Sequence, residues 1–266
     1  MVTNVAPTPF GDLLRRWRER RRVSQLDLSG EAGISARHLS FIETGRARAS
    51  RETVLQLAKH LEVPLREQNE LLLPAGYAPV FSQRPLDDPA LQSVREAVGL
   101  ILTGHEPFPA LALDRHWNVL AMNRAVPPLL ESVSPHLLEP PVNVLRLSLH
   151  PQGLAPRILN LAQWRAHLHE QLARQIRLTG DPALRALEDE LGGYPAPPLA
   201  QHPQGYAGVA VPLQLAAHGT ALSLISTTTV FGTPVDVTVS ELALETFFPA
   251  DAPTAEVLKN APEKRL

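Results

Sequence analysis

At 266 residues, 44% of them hydrophobic, the chain is long enough for two medium domains with separate cores. It has no cysteine, which excludes disulfides, thiolate-held zinc and a thiol nucleophile; no run nears the roughly 18 apolar residues of a membrane span and no signal-peptide pattern opens it, so a cytoplasmic protein is expected. The net charge of -2 divides unevenly: residues 1–76 hold 12 Lys and Arg against 9 Asp and Glu, and the rest 13 against 18, as for a basic nucleic-acid-binding module on an acidic remainder.

Residues 1–9 show no periodicity and read as a loose arm. Phe10, Leu13, Leu14 and Trp17 then recur at i, i+3, i+4 and i+7, which predicts a helix whose other faces carry six arginines between Arg15 and Arg22. Ser24 and Asp27 have capping-box spacing, so a second helix opens at Gln25 and Gly33 stops it. Ser35 caps a third, with Leu39 and Ile42 as its buried edge and Gly45 at its end. A short helix behind a glycine turn fits the DNA major groove and offers its outer side chains to base edges.

On that third helix Ala36, Arg37, Ser40 and Phe41 point outward, with Ser35 at its mouth. Arg37 is the candidate for paired bonds to guanine O6 and N7, and Phe41 for contact with a thymine methyl. Gln25, Arg46 and Arg48 stand where phosphate contacts are made. The same arginines on two ordinary surface helices would be only a solvated face. Ser50 caps a fourth helix carrying Val54, Leu57, Ala58 and Leu61, and a fifth with Leu65 and Leu72 follows Pro64. That makes an all-α five-helix domain over residues 1–76; residues 77–88, with Pro79 and Pro85, read as a linker.

Pro89 starts a helix through Leu91, Val94, Val98 and Ile101 or Leu102. The period then changes: residues 110–114 and 118–122 form a hairpin, and Asn123 leads into a helical piece with Ala125 and Leu129. Residues 156–178 are the longest predicted helix, with Leu161, Trp164, Leu168, Leu172 and Ile176 along one side. Asp181-Pro182 caps another with Leu184, Leu187 and Leu191, ended by Gly192-Gly193 and a proline-rich loop to Pro203. Strands at 209–215, 221–230 and 235–247 complete an α+β domain over residues 89–258, a five-stranded antiparallel sheet with helices on one face and a pocket between; residues from 249, and the tail 259–266 above all, look frayed.

The helix pair, through Ser24, Gln25, Leu28, Ser29, Ala32, Gly33, Ile34, Ser35, Leu39, Ser40, Ile42, Glu43 and Gly45, resembles the Xre or lambda-repressor-like helix-turn-helix regulators. It departs from them at Ser29-Gly30, where a small Ala followed by a better helix former is usual. The order Asp114, Val119, Asn123, Ala125, Leu129 looks like the opening of a PAS domain. With the runs ARHLSFIETGRARASRE, VPLREQNELLLPAGYAP, PALALDRHWNVLAMN, NVLRLSLHPQGLAPRILNLAQWR and TPVDVTVSELALETFFPAD, the chain is similar to proteins with an MmyB-like ligand-binding domain, a PAS-like fold behind an Xre-type helix-turn-helix. The resemblance implies a bacterial, nucleoid-associated transcription regulator whose C-terminal domain holds a fatty-acid-like ligand. A homodimer reading an inverted-repeat operator in double-stranded DNA is expected, with no membrane partner. The alternative is a constitutive DNA-binding regulator whose PAS-like domain serves only dimerisation.

An acyl carboxylate needs an apolar tube with one cationic or donor end. Arg157, one predicted turn before Leu161, stands at the mouth of the stripe that continues to Trp164 and Leu168; Asn160, Arg165 and His167 are less well placed alternatives, and Trp164 reads first as core and second as a ligand contact. An Arg at a helix start is otherwise a surface residue or an ion-pair partner. Catalysis finds no support, since GxSxG, glycine-rich phosphate-loop and HExxH patterns are missing. His167 and His169 point about 200° apart on a helix and cannot share a metal. Glu188, Asp189 and Glu190 read as a solvated helix end. The expectation is therefore no enzyme, no metal and no cofactor beyond a bound fatty acid.

Overall fold

The computed structural model describes residues 9–195, 211–217 and 219–260; the arm at 1–8, the proline-rich loop from 196, the predicted strand start at 209 and the tail from 261 lie outside the described residues. Two compact units emerge, one of residues 1–84, 177–180 and 234–240, the other of residues 85–176, 181–233 and 241–266.

The first unit contains α1 (Phe10–Arg20), α2 (Gln25–Glu31), α3 (Ala36–Glu43), α4 (Arg51–His60) and α5 (Leu65–Leu72). Ser24, Ser35 and Ser50 cap α2, α3 and α4, each hydroxyl accepting from the backbone N–H three residues on. Leu14, Trp17, Leu28, Leu39, Ile42 and Leu57 meet in one core, each buried side chain contributing roughly 1.5–3 kcal/mol. Gly33, at φ +63°, makes the turn between α2 and α3 in a conformation that side chains resist. Gly11 matters for a different reason, its lack of bulk. A Cβ there would lie 2.5 Å from the carbonyl oxygens of Ile42 and Glu43, so its bare backbone lets α1 rest on the end of α3. The stretch expected as linker is fastened through residue 84 to this unit. Asn69 accepts from the Val80 and Phe81 N–H groups and donates to the Phe81 carbonyl, while the Tyr77 hydroxyl donates to Ala49.

In the second unit a 3-10 turn at Pro89–Leu91 runs into α6 (Gln92–Gly104), followed by the hairpin β1 (Ala110–Leu113) and β2 (Val119–Met122). Next in the chain come α7 (Val144–Leu149), α8 (Leu161–Thr179), whose residues from 177 on belong to the first unit, and α9 (Pro182–Gly192), then β3 (Leu213–Ala217), β4 (Thr220–Val230), α10 (Val237–Ser240), which also belongs to the first unit, β5 (Ala243–Pro249) and α11 (Ala252–Lys259). All five strands form one antiparallel sheet in the order β2-β1-β5-β4-β3, with β5 central between β1 and β4. Side chains alternate across it. Ala110, Ala112 and Leu244 pack on Val98 and Leu102 of α6, whereas Leu111, Leu113 and Phe247 face Val126 and Leu130 on the other side. Helices thus cover both faces, where the sequence suggested one.

Three further expectations are corrected. The long helix does not begin at 156. Ala155–Arg157 is a separate 3-10 turn, Ile158 bridges to Leu215, and the Leu159 N–H donates to the Gln214 carbonyl at 2.8 Å, so pairing with β3 displaces helical bonding until Asn160 restarts it. The strand predicted over 235–247 is broken because the Asp236 carboxylate accepts from the Thr238 N–H and opens α10, leaving only Ala243–Pro249 in the sheet. The end predicted to fray forms α11. Asp251 caps it, the fully buried Thr254 accepts from the Ser223 N–H at 2.9 Å, and Leu258 enters the core.

Candidate DNA-reading face and ligand cavity

Around α3 the apolar residues Leu39 and Ile42 turn inward, while Arg37, Arg46 and Arg48 are exposed and Ala36, Ser40 and Phe41 half-buried. The Arg37 guanidinium lies over the Phe41 ring at 5.3 Å, which braces a long side chain on the outer face. Ser35 spends its hydroxyl on the helix cap, and Gln25 donates its amide to Glu43 at 2.7 Å.

Glu43 is the residue that sequence reasoning missed. It is 2% exposed, and Arg18 grips its two oxygens at 2.7 and 3.0 Å, with the Arg15 Nε 3.5 Å away. Burial alone would raise this carboxyl, yet the bonds from Arg18 and Gln25 hold it below the usual carboxylate range. Its place was visible: Glu43 follows Leu39 by four and Ile42 by one, on the buried stripe of α3. The arginines of the basic stretch are correspondingly committed. Arg21 donates to the Leu61 and Glu62 carbonyls at the end of α4, and Arg20 lies 4.4 Å over Trp17.

In the second unit an apolar cavity of about 80 Å³ opens between the sheet and α7 and α8. Leu111 and Phe247 form part of its floor, Leu145, Leu147, Trp164 and Leu168 part of its wall. A single water needs roughly 15 Å³, so the space admits several atoms, and an acyl chain would push the lining wider. Ser148, Trp164 and Glu245 bring polar groups to its lining. Trp164 is 2% exposed and its indole N–H has no hydrogen-bond partner. Glu245, on the cavity face of β5, is 8% exposed; burial pushes its carboxyl up to about 7, partly offset by the Ser226 hydroxyl. Among the described residues that line this cavity there is no Lys, Arg or His.

The expected ligand residues separate. Trp164 and Leu168 line the cavity, and Leu161 packs against the surrounding core. Arg157 lines a different, open cleft of about 570 Å³ with Glu131, Ser132 and Thr220. Its guanidinium donates to the Ala216 and Leu129 carbonyls and the Ser132 hydroxyl at 2.7–2.9 Å. Asn160 donates to the Pro212 carbonyl and accepts from the Gln214 N–H, and Arg165 donates to the Tyr194 and Gly192 carbonyls. His167 stacks 5.4 Å from Trp164, and burial pushes its imidazole below the ordinary value. The acidic cluster is no loose helix end: Glu190 takes two bonds from Arg146 at 2.7 and 2.8 Å, and Glu188 pairs with His169.

The family profile described as MmyB-like transcription regulator ligand binding domain matches residues 94–261, and one described as helix-turn-helix domain matches residues 9–71. A putative HTH-type transcriptional regulatory protein of Methanoculleus marisnigri is 35% identical over 111 residues, which is 40% of this chain and only 35% of that relative's length. The solved structure of an RNA-binding Light-Oxygen-Voltage receptor aligns over 94% of this chain and 60% of its own at 14% identity, with a TM-score of 0.25. On the span and content of the first two matches, this chain belongs to the family with an MmyB-like transcription regulator ligand-binding domain, here preceded by a helix-turn-helix domain.

Proposed function

We propose that the protein is a sequence-specific DNA-binding transcription regulator whose second unit binds a small apolar ligand, a fatty acid or other acyl compound, and thereby changes operator binding. The observation that carries this reading is the apolar cavity between sheet and helices in the domain joined to the helix-turn-helix. Arg37, Ser40 and Phe41 read base edges in the major groove, with Ser35 and Ala36 at the helix mouth, while Arg46 and Arg48 hold phosphates. Gln25, held by Glu43, presents the start of α2 to the backbone. Trp164 and Leu168 wall the ligand and Leu161 backs them; Arg157, Asn160, Arg165 and His167 shape the surroundings through the bonds described above. Two copies form a homodimer on an inverted repeat, inside the cell at the nucleoid, and the PAS-like domain does no catalysis.

A ligand moves DNA affinity only if it binds one arrangement of the dimer better than another. The test selects an operator from random duplexes with purified, delipidated protein, then measures its affinity by fluorescence anisotropy with and without acyl compounds. Selection of a defined operator with a ligand-dependent affinity supports the reading. A defined operator whose affinity ignores every acyl compound leaves a constitutive regulator, and failure to select any sequence removes the DNA-reading role.

A further inference from the structure

The pairing that displaces helix before Asn160 also builds a surface. With the Leu159 N–H bonded to Gln214 and Ile158 bridged to Leu215, successive side chains alternate, so Ile158 turns into the core at 5% exposed and Leu159 turns out at 59%. Leu159 and Arg157 thereby line the open cleft, whose volume of about 570 Å³ falls within the roughly 300–1,000 Å³ of small-molecule sites. The apolar cavity, at about 80 Å³, falls below that range until its walls part, and the two spaces share no lining residue. Arg157 is fixed before any ligand arrives. Its Nε donates to the Ala216 carbonyl and its Nη1 to the Leu129 carbonyl and the Ser132 hydroxyl, which uses three of its five N–H groups. Among the described residues Nη2 has no acceptor, so a positioned cation keeps two donors for an anion.

We propose that this cleft is a second ligand site, separate from the apolar cavity, and that it takes a small monocarboxylic acid with a compact apolar body, its carboxylate accepting from Arg157 Nη2. The charge of the lining decides the head group. Glu131 and Arg157 are the charged residues among the described lining, one of each sign, so a single negative charge is matched by the guanidinium while a phosphate dianion meets added repulsion from Glu131. Because Nε and Nη1 are committed, the carboxylate takes Nη2 alone rather than a two-nitrogen fork, and the expected gain is that of about one charge-assisted bond. Leu159 and Pro128 decide the body, giving an apolar face to a branched or aromatic group. The site stands whether or not an acyl chain fills the cavity.

The experiment titrates delipidated full-length protein calorimetrically with phenylacetate, 2-phenylethanol and benzyl phosphate, which share a benzyl body and differ in head-group charge. The pH is held well above about 6, where the phosphate is a dianion. Phenylacetate is expected to bind about tenfold more tightly than either of the others. Arg157→Ala also cuts three internal bonds, so the site is located with Leu159→Glu, which leaves those bonds in place at an exposed position. That variant should keep the native thermal midpoint and weaken phenylacetate about tenfold through like charge. 2-Phenylethanol or benzyl phosphate binding as tightly as phenylacetate overturns the head-group assignment. Undiminished phenylacetate binding by Leu159→Glu takes the ligand out of the cleft, and saturable heat from none of the probes overturns the site altogether. None of these results touches the acyl reading of the cavity, which the operator titrations decide.

Discussion

Two buried carboxyl groups, Glu43 and Glu245, answer desolvation oppositely. Glu43 is held ionised by Arg18 and Gln25, and its folded value lies below the ordinary 4.5. Its contribution is therefore present above that ordinary value and lost as pH falls through the folded one. Glu43→Ala leaves the Arg18 guanidinium, whose side chain is only 12% exposed, without its acid, and should cost about 3 kcal/mol in urea unfolding at neutral pH. The gap to the native protein should narrow at acid pH. Glu245 is raised to about 7, so the folded chain keeps a proton that the unfolded one releases. Stability should then decline as pH rises from the ordinary 4.5 towards 7 and level off above it, with the whole effect at most about 3 kcal/mol. Glu245→Gln should abolish the decline; an unchanged slope in a series of denaturant midpoints against pH would show that the carboxyl is not held neutral.

Arg37 and Arg46 part company at the DNA. If Arg37 makes the proposed bidentate guanine contact, Arg37→Ala should cost roughly 1–3 kcal/mol on the selected operator and relax preference at one base pair. Arg46→Ala should weaken specific and random duplexes alike and lower the salt slope by about one. Equal losses on both duplexes for Arg37→Ala would take base reading away from it.

Among the elements, the seat of α1 on α3 is the most exacting. Gly11→Ala puts a methyl 2.5 Å from two carbonyl oxygens, and backbone cannot swing aside as a side-chain tip can. A loss of roughly 1–3 kcal/mol is expected, with weakened DNA binding because α3 shifts; a thermal midpoint equal to the native one would show that the two helices are free to slide. The caps at Ser24, Ser35 and Ser50 were legible in the sequence because a cap needs only residues within one turn. The β1–β2 hairpin and its Asn123 were legible for a similar reason, since strand period and turn chemistry are local. What escaped depends on distant partners. Ile158 leaves the helix for Leu215, α11 holds through Thr254 to Ser223, and Glu43 is buried because Arg18 waits 25 residues earlier. Glu245 escaped because an acid in a strand reads as an exposed face, while at this position of β5 the outward side chain is covered by the helices that wall the cavity.

For the whole molecule, the proposed reading gives each chain one recognition helix, α3, and a single short helix touches too few base edges to single out a site in a genome. Pairing two copies about a twofold axis doubles the contacts and fixes the spacing, since both helices must enter major grooves on one side of the duplex, about 34 Å or one turn apart. Binding should then depend on the phase of the half-sites as well as on their sequence. Inserting about five base pairs between them turns one half-site to the far side and should reduce affinity at least tenfold, while inserting about ten returns it to the near face and recovers part of the loss. Anisotropy titrations over such a spacer series read this directly. A smooth fall with spacer length would point to two heads binding independently, and no dependence at all would mean that one copy suffices, leaving the ligand no dimer geometry through which to act.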